Sequence, residues 1–399
     1  MDSIGIADIM TFNLYVILQP LLMIRSNIMR IKSIAQCVIC AVVLAIQLSC
    51  QKTEPVRIGF VAGLSGKVAD LGVAGRNGVQ LAVEQRNAAG GINGKQVELI
   101  VKNTEQNPDI AKRVVGELIG QGIELIIGPM TSSMAMAMMP QINSSKSILL
   151  SPTVTTTELS GKDDNFLRVI AATTDYASKS ARYQYEKLGI RTVAVICDIG
   201  NRSYTESWLN EFNAAFTALG GKVVMVKTFK SGNDSIFLPL VKELLSSKAD
   251  ALVVVSNAVD SALICQQVRK IAPRQKIAMS EWASTERFTE LAGTAADGVL
   301  VSQFLDRNST SPAYLDFLVK YRARFKQEPG FAGVAGYDAA LVAMEAFAIR
   351  KNGESLKQVI INRKVFQGLQ QPLNFDRFGD TDRKTFVTHI REGKYITVE

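Results

Sequence analysis

Hydroxyl side chains cluster at two places where an apolar run stops. Residues 123–127 read I-E-L-I-I; Gly128-Pro129 follows, then Thr131, Ser132 and Ser133 open a segment rich in Ala and Met. Residues 147–150 form a second apolar run, and Ser151-Pro152-Thr153-Val154-Thr155-Thr156-Thr157 follows it. Ala and Met favour helix, so the first cluster stands where a strand gives way to a helix. A helix N-terminus presents unpaired N–H groups and a partial positive charge, which suit a carboxylate or phosphate. In an open parallel sheet, ligands bind beyond the carboxyl ends of the strands. The two turns are therefore expected to face one cleft and hold a small anionic group. The competing role of either turn alone is N-capping, and the recurrence on consecutive strands weakens it.

Other chemistries find little support. His389 is the one histidine, and after Cys50 no C-x-x-C occurs, so neither a zinc site nor a His-based triad is expected. Gly63-Leu64-Ser65-Gly66-Lys67 lacks the spacing of a Walker loop, and no G-x-S-x-G is present. No cofactor or metal is expected. The net charge of +8 is dispersed, without the basic run that tracks a phosphate backbone, so nucleic acid is not an expected partner.

The elements that must position the hydroxyls follow from periodicity. With 399 residues, 47% of them hydrophobic, the chain has room for two ordinary domains. Strand-like and helical segments alternate from residue 56, and a second round of alternation runs from 176 to 302. This predicts an α/β protein of two units with parallel, doubly wound sheets and a cleft between them. Late helices are expected over 312–325, 337–350 and 356–361, and a hairpin over 386–398. Residues 1–50 do not read as fold. Met29-Arg30-Ile31-Lys32 and the apolar stretch 34–48 match a secretory signal, and 1–28 read as upstream of the true start. Cys50 follows a small residue, as at a lipidated cysteine; simple cleavage is the alternative. Cys197 and Cys265 read as buried thiols, with pairing as the alternative.

Four segments together resemble a known family: V-R-I-G-F-V-A-G-L-S-G at 56–66, N-A-A-G-G-I-N-G-K-Q-V-E-L at 87–99, I-I-G-P-M-T-S-S at 126–133 and L-N-F-D-R-F-G-D at 373–380. The chain resembles the branched-chain amino-acid receptors among type I periplasmic binding proteins, the solute receptors of ABC importers. The resemblance implies two Rossmann-like lobes, 56–173 with 303–375 and 174–302 with 376–399. Three crossovers near 171–175, 301–305 and 372–378 would form a hinge. It also implies an exported, monomeric, non-enzymatic protein whose partners are a small amino acid and an inner-membrane ABC permease.

By the same resemblance, Ser132, with Ser133 beside it, would hold the ligand carboxylate, Thr153 would offer backbone groups and Thr155 a hydroxyl. Glu281 would pair with the ligand ammonium, with Tyr204 near the amine and Tyr337 as the aromatic at the start of a late helix. Leu71 stands where the family often has Trp, and Ala258 falls near another aromatic position; both changes are expected to enlarge or reshape the side-chain pocket. Asp338 is expected as a helix cap or hinge-side partner. The same fold could instead serve an aromatic carboxylate or amide, or a sensory role.

Overall fold

The computed structural model describes residues 54–232 and 235–399, together with the isolated Gln36. The signal segment, Cys37, Cys40 and Cys50 lie outside the described residues. The first lobe alternates β1 (Val56–Ala62), α1 (Ala69–Ala88), β2 (Val97–Asn103), α2 (Pro108–Gly120), β3 (Leu125–Ile127), α3 (Ser132–Asn143), β4 (Ile148–Ser151) and β5 (Phe166–Arg168). These five strands form a parallel sheet in the order β2-β1-β3-β4-β5. β3 and β4 are buried along their whole length, as strands covered on both faces must be.

The chain then crosses to the second lobe. α4 (Thr173–Arg182) continues into a π-helical turn (Tyr183–Lys187), followed by β6 (Thr192–Asp198), α5 (Arg202–Ala218) and β7 (Lys222–Phe229). Next come α6 (Leu238–Ser246), β8 (Ala251–Val255), α7 (Ala258–Ile271), β9 (Lys276–Met279), α8 (Glu286–Ala292) and β10 (Leu300–Gln303). The chain returns to the first lobe through α9 (Pro312–Phe325), α10 (Gly330–Ile349), α11 (Leu356–Arg363) and a small antiparallel sheet of β11 (Val365–Gln367), β12 (Pro372–Phe375) and β13 (Thr381–Asp382). β14 (Phe386–Arg391) and β15 (Lys394–Thr397) close the second sheet, in the order β15-β14-β10-β9-β8-β6-β7. The expected hairpin is present, antiparallel to β10. Cys197 and Cys265 are free and buried.

Two expectations change. The third crossover, expected near 372–378, falls later, between β13 and β14. Residues 376–383 stay with the first lobe: β13 pairs with β12, Arg168 binds Asp380 at 2.6 Å, and Arg383 binds Asp338 at 2.6 Å with both side chains fully buried. Asp338 also accepts from the Leu369 N–H, so it takes the hinge-side role. The other change is α10, expected from Tyr337 but beginning at Gly330. Its glycines look like turn residues, yet they serve packing. A Cβ at Gly336 would lie 2.4 Å from the Gly75 carbonyl oxygen, and one at Gly78 would lie 2.1 Å from that of Gly333. Only bare backbone lets α1 and α10 approach this closely, and the contact brings Leu71 and Phe331, near the two helix starts, to the cleft.

Gly336→Ala should therefore destabilise the protein. Ala is the better helix former by about 1 kcal/mol, but the forced separation of two helices costs about 1–3 kcal/mol and wins. A lower urea midpoint is expected; an unchanged or higher one would show that the helices can part freely.

Candidate functional site

The carboxyl ends of β3, β4, β6 and β9 converge between the lobes. Ser132 stands at the first turn of α3, behind Thr131 at the N-cap. Thr131 makes no side-chain cap; its hydroxyl pairs instead with Gln106, at 2.8 Å from Nε2. The capping role fails at this turn, and the α3 N-terminus faces the cleft. In the second turn Ser151 accepts from Val154 N–H at 3.0 Å and donates to the Pro129 carbonyl at 2.9 Å, which braces one turn against the other. Thr173 Oγ1 donates to the Thr155 carbonyl at 2.8 Å and lies 3.0 Å from the Thr155 hydroxyl, which fixes that hydroxyl on the cavity wall. Thr153 uses its hydroxyl on the Met130 carbonyl at 2.7 Å.

The opposite wall belongs to the second lobe. Along α5, Tyr204, Trp208, Phe212 and Phe216 recur every fourth residue and are all buried, a helical stripe facing the core. Trp208 and Phe212 stack at 5.1 Å and Phe212 and Phe216 at 5.3 Å. From this stripe Trp208 Nε1 donates to Glu281 Oε2 at 3.0 Å. Glu281 opens the short 3-10 turn Glu281–Ala283 after β9 and is only 5% exposed. No hydrogen bond of good geometry reaches its Oε1 or the buried Tyr204 hydroxyl from the described residues, although the phenol lies near enough to act on the carboxyl's charge. Burial pushes the Glu281 carboxyl up to about 7. Burial, then the nearby Glu281 charge, raises the Tyr204 phenol well above its usual range.

Ser132, Thr153, Thr155, Tyr204, Glu281 and Leu71 thus line one cavity, joined by Met130, Ile170, Asn201, Trp282 and Phe331. Two expected members are elsewhere. Ser133 bridges the lobes: its N–H donates to Asn201 Oδ1 at 3.0 Å and its Oγ accepts from Ser203 N–H at 3.3 Å. Tyr337 lies seven residues into α10, where its hydroxyl donates to Gln85 and its ring packs on Phe317. The aromatic at the helix start is Phe331. Leu71 shares the lining with Phe331 and Trp282, Ala258 is buried at the start of α7 outside the lining, and the cavity between the shut lobes measures about 20 Å³. That is room for roughly one water. Asn201 and Phe331 were missed, the first hidden in a polar loop and the second by the late helix start.

Direct bonds shut the lobes around this cavity. Thr156 Oγ1 donates to the Ser203 carbonyl at 2.8 Å, Thr157 N–H donates to Ser207 Oγ at 3.1 Å, and Thr285 Oγ1 donates to Asp70 at 2.7 Å. Lys67 pairs with the buried Asp260 at 2.7 Å.

Residues 55–394 match the description of a periplasmic binding protein family. The Leu/Ile/Val-binding protein BraC3 of Rhizobium johnstonii is 25% identical over 353 residues, covering 86% of this chain and 94% of that protein. The branched-chain amino acid transporter substrate-binding protein LivJ of Streptococcus pneumoniae, solved with isoleucine, matches with a TM-score of 0.80 at 26% identity, covering 86% of this chain and 99% of that one. A solute-binding protein of an ABC transporter from Rhodopseudomonas palustris, solved with 3,4-dihydroxybenzoic acid, has the same fold with a TM-score of 0.78 at 21% identity, covering 86% and 96%.

The half-paired carboxyl has a stability signature. Its folded pKa, about 7, lies above the usual 4.5. Its protonated form therefore stabilises the ligand-free protein at low pH, and that contribution is lost as pH rises through about 7. The window corresponds to roughly 3 kcal/mol. Glu281→Gln, neutral at every pH, should be more stable than the wild type at pH 8, with the difference shrinking towards pH 5. Urea titrations across that range check it; parallel curves would refute the buried-carboxyl assignment.

Proposed function

The chain belongs to the periplasmic binding protein family, and on that premise we propose that it is the extracytoplasmic solute receptor of an ABC importer, enclosing a small apolar amino acid between its lobes. Glu281 carries the assignment: a buried carboxyl with one oxygen unpaired, beside the unpaired hydroxyl of Tyr204. An ammonium supplies what both lack. It gives a donor to each, and it gives the carboxylate a counter-charge in a dry site, where charge-assisted bonds are about twice as strong as neutral ones. Across the cavity the hydroxyls of Ser132 and Thr155 and the α3 N-terminus offer donors for the carboxylate of the same molecule. Leu71, Met130, Ile170 and Phe331 supply the apolar wall that a short side chain would meet once the lobes open to admit it.

The protein acts by binding and release. The cavity of about 20 Å³ gives a ligand no entry while the lobes are shut, so uptake and delivery require a hinge opening at the three crossovers. The partner is an inner-membrane ABC permease, and the receptor acts as a monomer, periplasmic or tethered through a lipid on Cys50.

A thermal-shift screen with amino acids and their deaminated analogues tests the ligand class. A true ligand at a hundred times its Kd should stabilise by about 2.7 kcal/mol. Amino acids with small apolar side chains should shift the protein and their deaminated analogues should not. Glu281→Gln should lose the shift. The ammonium pairs with the ionised carboxyl, so affinity should weaken below about pH 7, by up to about tenfold per unit. A shift only by carboxylates or amides, or one that Glu281→Gln preserves, would reject the amino acid.

A further inference from the structure

We propose a second small-molecule site in the second lobe, at the end of its sheet farthest from the cleft, for a small aromatic hydroxyl compound of the phenol class. A cavity of about 190 Å³ lies there. The cleft takes the carboxyl ends of the parallel strands; this cavity takes their amino ends, with Ala251, Ile277 and Leu300 in its walls and Ile190 just ahead of β6. The seven residues of β6 set the two sites about 20 Å apart.

Its roof is the π-helical turn Tyr183–Lys187 that ends α4. The widened turn is an irregularity of the kind that α-helices keep at functional places. It leads into Leu188, whose carbonyl accepts from Lys276 Nζ at 3.2 Å, and it places Gln184 against the cavity. Gln184 is 1% exposed. Its Nε2 donates to Ser180 Oγ at 3.1 Å, but its Oε1 has no partner among the described residues. A buried amide oxygen without a donor is unfavourable, and the rest of the lining is mostly apolar, with Tyr183, Lys276 and His389 as its other polar members.

Two features select the occupant. An apolar cavity of about 150 Å³ accepts benzene, so this one has room for a substituted ring. The unpaired amide end selects a hydroxyl, which donates to Oε1 and, were the amide turned over, would accept from Nε2 equally well. A hydrocarbon of the same size leaves that amide unpaired.

The test is a pair of titrations on the full chain, with phenol and with toluene, read by the methyl resonances of isotopically labelled Ile and Leu. Phenol should shift Ile190, Ile277 and Leu300 saturably while leaving Leu71 and Ile170 in the cleft unmoved. It should bind at least about five times more tightly than toluene, the worth of one hydrogen bond. In Gln184→Leu, which keeps the shape, that preference should vanish. Ala251→Leu, which fills the void, should abolish both titrations. Equal binding of phenol and toluene to the wild type, shifts confined to the cleft methyls, or no saturable shift at all would overturn the proposal.

Discussion

A carboxyl is held out of water with half of its hydrogen-bonding capacity unmet. Glu281 has Trp208 on one oxygen and, among the described residues, no well-formed hydrogen bond on the other. Burying an ionised carboxylate without a counter-charge is costly enough that the group takes up a proton instead. Everything nearby keeps Glu281 in that position. β9 ends in the short turn that carries it, the α5 aromatic stripe fixes Trp208, and the facing lobe shuts off the solvent. A solvated acid on the same strand would gain little from an ammonium; this one gains a charge partner and a donor together.

The two sides of the interlobe space are built for different fates. On the hinge side, Arg383 and Asp338 form a fully buried pair, and Arg168 joins β5 to Asp380 while donating to the Thr156 carbonyl at 3.1 Å. Removing one member of such a pair strands a buried charge, so these contacts persist through any motion. On the cleft side the bonds are single hydrogen bonds of hydroxyls and backbone groups, the Thr285–Asp70 contact among them, and the pair of buried Asp260 with the partly exposed Lys67. Each is worth about 1 kcal/mol net, and water replaces most of them on opening. Strong pairs at the pivot and weak bonds at the mouth are the arrangement that a hinge requires.

Much of this was legible in the sequence. Alternating periodicity announced the sheets, and hydroxyls after two successive strands marked the Ser132 and Thr155 wall without any relative in view. Glu281 entered through family resemblance, since nothing local distinguishes it from a loop carboxylate; its burial is made by residues far away in sequence. Tyr337 was misplaced because the glycines of α10 serve a contact with α1 that spacing alone cannot reveal. Ser133 neighbours Ser132, but a helix turns adjacent side chains about 100° apart, and that turn sends one into the cavity and the other to the opposite lobe. The third crossover fell late because the pairing of β12 with β13, and Arg383 with Asp338, are long-range choices.

The shut lobes bear on what a ligand must supply. Several direct bonds already join the lobes around a space that holds roughly one water. Closure therefore has favourable terms of its own, opposed chiefly by the burial of Glu281. A ligand shifts such an equilibrium only through interactions that differ between the open and shut states. The hydroxyl turns belong to one lobe and are available in both states. The Glu281 carboxyl meets them across a small gap only when the lobes are shut. A molecule with a carboxylate at one end and an ammonium at the other spans that gap, and one with either end alone does not. On the proposed amino-acid reading, the same Glu281–ammonium pairing that sets affinity also drives closure, and discrimination against fragments of the ligand follows from the geometry of the gap.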